Sequence, residues 1–115
     1  MHDKSEESTF SFQRLDCYRA AREMAVKVHE AKIEDAELRD QATRASKSCF
    51  LNLSEGLPSE AAGTRRKFFS SAIGSACETA AAVDLACAIG AVTPDAAREI
   101  LILAVRVKRM LRGLR

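Results

Sequence analysis

The chain has 115 residues and a net charge of +2; 47% of its residues are hydrophobic, 30% are charged and 5% are aromatic. A chain of this length and composition supports one hydrophobic core, which excludes disordered and collagen-like proteins. Because tryptophan is absent and alanine is abundant, the core must consist of small and aliphatic side chains, which favours helices packed on helices.

The first predicted helix follows a polar start. Residues 1–10 show no hydrophobic periodicity and are predicted to be a disordered leader, so that residues 11–115 form a single domain. Apolar residues then recur at three- and four-residue steps, which predicts a helix from Phe12 to about Lys32. The predicted core face of this helix contains Phe12, Leu15, Tyr18, Ala21, Ala25 and Val28.

The second helix is predicted from about Ala36 to Glu55. Asp35 precedes it and is a suitable N-cap, because its carboxylate can accept from a free backbone N–H of the first turn. Gly56 suits the left-handed position that ends many helices, and Pro58 cannot continue a helix. A short break therefore follows the second helix.

Two more helices complete the chain. Ser59 or Thr64 is predicted to cap the third helix, which ends near Gly90. Thr93 followed by Pro94 predicts the start of the fourth helix, since proline is favoured at the first helical position. Four helices joined by short links predict an all-α fold, an antiparallel up-down-up-down four-helix bundle.

The fourth helix carries more apolar residues than one bundle core needs. Residues 100–105 form an unbroken apolar run, which at about 100° per residue places Leu101, Ile102 and Val105 opposite the core face. A helix that is apolar all round is buried all round. We therefore expect these three residues to form an interface between copies of the chain in a homo-oligomer.

Basic residues are concentrated late in the sequence. Residues 98–115 contain six Lys or Arg and one acid, a net charge of +5, whereas the first 97 residues sum to −3. Two clusters are candidate nucleic-acid-binding sites: Arg65, Arg66 and Lys67, and Arg106, Lys108, Arg109, Arg112 and Arg115. Repeated around an oligomer, either cluster would bind phosphates by counterion release, without sequence-specific readout.

Polar residues follow one side of the second helix and continue on the third. Gln41, Ser48, Asn52 and Glu55 succeed one another at steps of seven, four and three residues. A buried, connected set would fix the register between two alanine-rich helices. The predicted structural polar network consists of Gln41, Asn52, Glu55, Ser75 and Glu78.

Motifs for catalysis are absent from the sequence. His2 and His29 are isolated, no glycine-rich phosphate loop or nucleophile elbow occurs, and the four cysteines are predicted to be small buried thiols. The sequence predicts a non-enzymatic protein without a cofactor, a metal or a small-molecule substrate. It contains neither an apolar run of about 18 residues nor a signal-peptide pattern, so a cytoplasmic protein without a membrane partner is expected.

A family resemblance is carried by the segment DQATRASKSCFLNLSEG (40–56), with FQRLDCYRAAREMA before it and FFSSAIGSACE after it. These segments resemble the 23S ribosomal RNA intervening-sequence protein family, similar in fold to the accessory variability determinant proteins of diversity-generating retroelements. The residues that match the family pattern are Phe12, Leu15, Gln41, Arg44, Ala45, Ser48, Asn52, Glu55, Gly56, Phe68, Gly74, Ser75 and Glu78. Cys49, Phe50 and residues 61–63 depart from it.

The resemblance implies an up-and-down bundle that assembles into a ring, expected to be a pentamer, and associates with RNA or a reverse-transcriptase complex. It implies no reaction. Two functions remain open: a homo-oligomeric accessory protein that binds nucleic acid through basic helix faces, and an oligomeric protein-protein interaction scaffold with no nucleic-acid role.

Overall fold

The computed structural model describes residues 4–114, and their side chains from Phe12 onward. This part of the chain forms four helices, α1 (Lys4–Ala31), α2 (Ala36–Gly56), α3 (Ala62–Ala88) and α4 (Pro94–Leu114). Each helix packs against two neighbours, α1 on α2 and α4, and α3 on α2 and α4. The short links make successive helices antiparallel, so the predicted all-α up-down-up-down four-helix bundle is confirmed.

The start of α1 differs from the prediction. The helix begins at Lys4, so α1 includes residues 4–10, which precede the predicted start at Phe12. The physical reason is that this stretch contains neither proline nor glycine, and nothing in it stops a helix from extending toward its start. Residues 1–3 of the predicted leader lie outside the described residues.

The core runs the length of the bundle and consists mainly of aliphatic side chains and alanines. Its largest fully buried members are Phe69, Met24, Ile33, Leu53, Ile100, Leu111, Val83 and Val107. On α1 the buried stripe passes through Cys17 and Ala21, whereas Phe12 is 67% exposed and Leu15 is 40% exposed. Phe12 and Leu15 were wrongly predicted as core because, at about 100° per residue, they lie on the side of α1 opposite this buried stripe.

Two predicted helix starts are confirmed by hydrogen bonds. An Asp35 carboxylate oxygen accepts from the Leu38 backbone N–H at 2.9 Å, which caps α2. The Thr93 hydroxyl accepts from the Ala96 N–H at 3.2 Å at the start of α4. Each bond satisfies one of the N–H groups that the first turn of a helix leaves without a partner.

The start of α3 was wrongly predicted. Its N-cap is Ala61, which provides no side-chain hydrogen bond, rather than Ser59 or Thr64. The Ser59 carbonyl instead accepts a hydrogen bond from the Arg65 guanidinium at 3.3 Å. The helix therefore begins between the two predicted residues, and its first N–H groups have no side-chain cap.

Gly90 ends α3 in the left-handed conformation, with φ +78°. Its N–H donates to the Cys87 carbonyl at 3.1 Å, and the next N–H, of Ala91, donates to the Ala86 carbonyl at 2.8 Å. This pair of bonds is the Schellman motif. The Ala91 carbonyl accepts from the Glu34 N–H at 2.9 Å, which ties the α3–α4 loop to the α1–α2 loop.

The cysteines fall into two classes. Cys17 and Cys49 are fully buried, and this burial raises the pKa of the Cys17 thiol to about 11 and that of the Cys49 thiol to about 12. Cys77 is exposed and Cys87 is half-buried, so the prediction of four buried thiols is wrong for Cys77. Among the described residues, no helix is long and apolar enough to cross a membrane.

Gly56 has a different role from the one predicted. It is a buried residue in the last turn of α2 and does not adopt the left-handed conformation. A Cβ at this position would lie 2.7 Å from the Phe69 ring and 3.1 Å from the Phe68 Cβ. Glycine is therefore required here because α2 and α3 approach each other too closely for any side chain.

We predict that Gly56→Ala destabilises the bundle by about 1–3 kcal/mol, because the fully buried Phe69 ring has no free space to move into. Gly74→Ala is the matched control, since Gly74 lies inside α3 with nothing within 4 Å of an added Cβ. The control should stabilise the protein by up to about 1 kcal/mol through helix propensity. Urea denaturation measures both; equal effects of the two changes would contradict the close-approach explanation.

Candidate nucleic-acid interface

The two predicted basic clusters lie at the same end of the bundle. Because α3 and α4 are antiparallel neighbours, the start of α3 and the end of α4 coincide in space. Arg66, Lys67, Arg106, Arg109 and Arg112 are exposed. Arg65 and Lys108 are half-buried, and Arg115 lies outside the described residues. The fold thus joins two stretches that are far apart in sequence into one basic surface, which we call the basic end.

Charge is separated along the bundle axis. Among the residues whose side chains the structure describes, the half that contains the basic end comprises residues 12–20, 47–75 and 105–114, with ten Lys or Arg and three Asp or Glu, a net charge of +7. The other half comprises residues 21–46 and 76–104, with six Lys or Arg and ten Asp or Glu, a net charge of −4. An overall charge near zero therefore conceals a strongly basic end and an acidic end.

Helix termini of both signs meet at the basic end. The first turn of α3 carries no acidic residue and no side-chain cap, so its N–H groups and the positive pole of the helix dipole face this end. The negative poles of α2 and α4 lie at the same end, and of these two only α4 carries a basic residue, Arg112, in its last turn.

The cations of the basic end are largely free of internal partners. Among the described residues, no carboxylate lies within ion-pair distance of Arg66, Arg106 or Arg112. Lys67 contacts the Phe68 ring, with its Nζ 6.0 Å from the ring centroid. Exposed guanidinium groups without carboxylate partners can bind phosphate oxygens without first breaking an ion pair.

The opposite half keeps part of its charge in ion pairs. Lys27 Nζ lies 3.4 Å from a Glu99 carboxylate oxygen, which links α1 to α4, and Arg98 lies 3.9 Å from Asp95. These exposed pairs contribute little to stability. They nevertheless place Lys27 and Arg98 beside carboxylates, so these two cations are less able to bind an external anion.

A short polar network crosses from α2 to α3. The Ser75 hydroxyl donates to the Ser48 hydroxyl at 3.0 Å. The Asn52 amide donates to the Ser48 hydroxyl at 3.1 Å and to its carbonyl at 2.9 Å. Ser48 is therefore the centre of the network, although the sequence indicated it only as a residue on the same side of α2.

Three members of the predicted structural network lie elsewhere. Gln41, Glu55 and Glu78 are exposed and contribute no hydrogen bond to the chain that joins Asn52 to Ser75. The prediction is corrected for these three because an amide or a carboxylate inside an alanine-rich bundle would lose its hydration without enough partners to replace it. They line the outer surface of the α2–α3 seam, where Gln41 and Glu78 share a shallow groove.

An apolar groove lies between α3 and α4 and has a volume of about 710 Å³. The three residues predicted as an oligomer interface line it: Ile102 is 55% exposed, Val105 is 48% exposed and Leu101 is half-buried. We call this feature the α3–α4 groove. Its other lining residues are Asp84, Cys87, Pro94, Ala97, Arg98, Arg106, Arg109 and Met110.

The groove leaves apolar surface exposed that is not part of the bundle core.

In the described part of the chain, no three His, Cys, Asp or Glu side chains gather closely enough to hold a metal ion. What the arrangement offers chemically is a surface for phosphate groups at one end and an apolar surface for a protein partner on one side.

We predict that Ser48→Ala lowers the free energy of unfolding by about 1 kcal/mol, since the Ser75 and Asn52 groups lose their shared partner. Glu55→Ala, at an exposed position on the same helix, should change it by less than about 0.5 kcal/mol. Thermal or urea unfolding of both variants checks this, and an equal loss from Glu55→Ala would restore that residue to the network.

The sequence matches the family model described as 23S rRNA-intervening sequence protein over residues 13–113. A crystal structure from Bacteroides thetaiotaomicron VPI-5482, described as a protein with unknown function from the S23 ribosomal protein family, is similar in fold. The TM-score is 0.79 at 17% identity, covering 89% of this chain and 96% of that chain. A comparison with curated protein sequences gave no match. Since the family model spans nearly all of the four-helix bundle, the chain belongs to the 23S rRNA-intervening sequence protein family.

Proposed function

We propose that this protein is a non-enzymatic homo-oligomer that binds nucleic acid without sequence preference through the basic end. The observation that carries the proposal is the net charge of +7 among the described side chains of one half of the bundle, with exposed arginines that have no carboxylate partner among those residues. Such a surface attracts the phosphate backbone and gains affinity by counterion release. The family description refers to a 23S rRNA intervening sequence, which supports RNA as the ligand.

Binding through the basic end would be insensitive to sequence for a physical reason. The exposed cations lie at the ends of two neighbouring helices, so they form a compact cluster rather than a row of side chains aimed at base edges. Contacts from arginine and lysine to phosphate fix the position of a nucleic acid but do not distinguish its bases. A reverse-transcriptase complex, as the family resemblance implies, would bring such RNA with it.

Assembly would multiply the basic surface. The α3–α4 groove exposes Ile102 and Val105 to solvent, and a second copy of the chain would cover them. A ring, with a pentamer as the expected form, would place several basic ends around one axis.

The alternative function is a protein-protein interaction scaffold, in which the groove binds a different protein and the arginines keep the protein soluble. If nucleic acid does not bind, the exposed apolar residues of the groove favour this alternative.

We predict that the protein binds a duplex RNA of about 20 base pairs at 50 mM salt, and that the logarithm of affinity falls linearly with the logarithm of salt concentration. Replacing Arg66 and Lys67 by glutamine removes two phosphate contacts, so the slope should decrease by about 2. The control replaces Arg22 and Lys32, exposed cations of the acidic half, and should leave the slope unchanged.

Fluorescence anisotropy at several salt concentrations measures these slopes. Absence of wild-type binding at 50 mM salt, or equal slopes for the two double variants, would exclude the basic end as the interface. In that event co-purification of a defined protein from cells would support the scaffold function.

Oligomerisation has its own test. We predict that Ile102→Glu lowers the molar mass measured by light scattering, because burying a carboxylate in an apolar interface costs more desolvation free energy than an ion pair with Arg98 or Arg106 at the rim returns. Val26→Glu is the control, since Val26 is 45% exposed on α1 and lies outside the groove. A wild-type monomer at high concentration, or an unchanged mass for Ile102→Glu, would contradict the proposed interface.

A further inference from the structure

A cavity of about 340 Å³ lies between α1 and α4 at the basic end. We call it the α1–α4 cavity. Its lining residues are Gln13 and Asp16 on α1 and Arg109, Met110, Gly113 and Leu114 on α4. The volume is at the lower end of the range for small-molecule sites, so the cavity suits one small ring system rather than a peptide segment.

Three of the lining side chains have hydrogen-bonding groups without partners in the bundle. Gln13, Asp16 and Arg109 are exposed. Among the described residues, no side chain of opposite charge lies within ion-pair distance of Asp16 or Arg109, and none of the three makes a side-chain hydrogen bond. A carboxylate, an amide and a guanidinium therefore surround one cavity without neutralising one another.

Asp16 determines which kind of ligand the cavity suits. A carboxylate repels a phosphate group, so this part of the basic end is unsuited to the phosphates that its other cations attract. A carboxylate accepts hydrogen bonds, a guanidinium donates them, and an amide does both. Together the three groups fit the edges of a neutral planar ring that carries donors and acceptors, and the bases of RNA are rings of this kind.

From these observations we infer that the α1–α4 cavity binds one unpaired guanine base. Guanine carries two neighbouring donors, N1–H and the 2-amino group, which suit the two oxygens of the Asp16 carboxylate. It also carries two neighbouring acceptors, O6 and N7, to which an arginine such as Arg109 donates as a pair. None of the other three RNA bases carries both pairs. The apolar side chains of Met110 and Leu114 would contact the ring.

This inference rests on the proposed binding of RNA by the basic end, and it names what that end recognises besides phosphate. Arg112, one turn along α4 from Arg109, is exposed and has no carboxylate partner among the described residues. Phosphates that flank an inserted base would therefore still meet free cations.

Only an unpaired base can enter the cavity. Bases in a duplex keep their edges paired and their faces stacked, whereas a bulged or looped base can be turned outward and read on its edges. Paired RNA would bind through its phosphates alone, without sequence preference. The preference for guanine would arise only where an unpaired guanine is present.

Gly113 gives a direct way to fill the cavity. It lines the cavity within α4, and nothing lies within 4 Å of a Cβ added to it. Gly113→Leu should therefore occupy the cavity without displacing core side chains. Gly74→Leu is the matched control, since Gly74 is another helical glycine with open space around it and does not line the cavity.

The test uses the full chain and duplex RNAs that differ only in one bulged nucleotide, which is guanosine, inosine or uridine. Inosine is guanosine without the 2-amino group. By fluorescence anisotropy at fixed salt, the wild type should bind the bulged guanosine at least about fivefold more tightly than either alternative. Gly113→Leu should bind all three RNAs equally, and Gly74→Leu should retain the preference.

Asp16→Asn separates recognition from a structural role. The amide keeps the shape of the carboxylate but places an N–H group against the donors of guanine, so the preference for guanosine over inosine should disappear. Affinity for the fully paired duplex should not fall, because the substitution removes a negative charge from the basic end. A variant that keeps the guanosine preference would exclude Asp16 as the recognising group.

The remaining outcomes separate this inference from the proposed function. Equal wild-type affinity for the three bulged RNAs, or a guanosine preference that survives Gly113→Leu, would overturn the guanine site and leave the binding of paired RNA untouched. If no RNA binds, equilibrium dialysis with GMP and IMP decides. A preference for GMP that Gly113→Leu abolishes would support the cavity as a site for a free nucleotide and overturn the proposed function, whereas no preference would overturn both.

Discussion

The closest approach between α2 and α3 determines the geometry of the rest of the molecule. At Gly56 the backbone of α2 contacts the Phe69 ring so closely that no Cβ fits between them. This contact fixes the axial position of α3 relative to α2, and the hydrogen bond that the Ser75 hydroxyl donates to the Ser48 hydroxyl keeps the same register about two turns away. With that register set, the start of α3 lies beside the end of α4, and the basic clusters coincide. The electrostatic character of the molecule is thus a consequence of packing.

The separation of charge reflects the connectivity of an up-down-up-down bundle. In antiparallel neighbouring helices, the start of one helix lies beside the end of the next. The basic cluster near residue 66 and the basic cluster near residue 109 are therefore neighbours in space. Burial explains the rest of the charge distribution. The core consists of aliphatic side chains and alanines, so the charged residues lie at the ends of the bundle and on its outer faces. The proposed RNA-binding function needs no pocket and no unusual residue, since a dense set of exposed cations is sufficient for phosphate.

Much of the fold could be predicted from the sequence, because helix periodicity, Asp35 and the Thr93–Pro94 pair are local signals that the structure confirms. The errors arose where tertiary context overrides local signals. Gly56 has the sequence position of a helix-ending glycine, yet its role is steric and depends on Phe69, which only the packed structure reveals. Phe12 has the three-residue spacing of a core residue but lies on the side of α1 opposite its buried stripe. The sequence identifies each basic residue, but the α3–α4 groove could not be predicted without knowing which helices are neighbours.

The hydrogen bond between Glu34 and Ala91 joins two loops at the acidic end, and the Schellman motif at Gly90 closes α3 there. No comparable cap is present at the start of α3, where Ala61 offers no side chain to the backbone. The bundle is therefore anchored at one pole and looser at the other, and backbone amides should exchange their hydrogens progressively faster from the loops toward the arginines. The basic end, which would bind nucleic acid, could then adjust its conformation, while the acidic end keeps the four helices aligned.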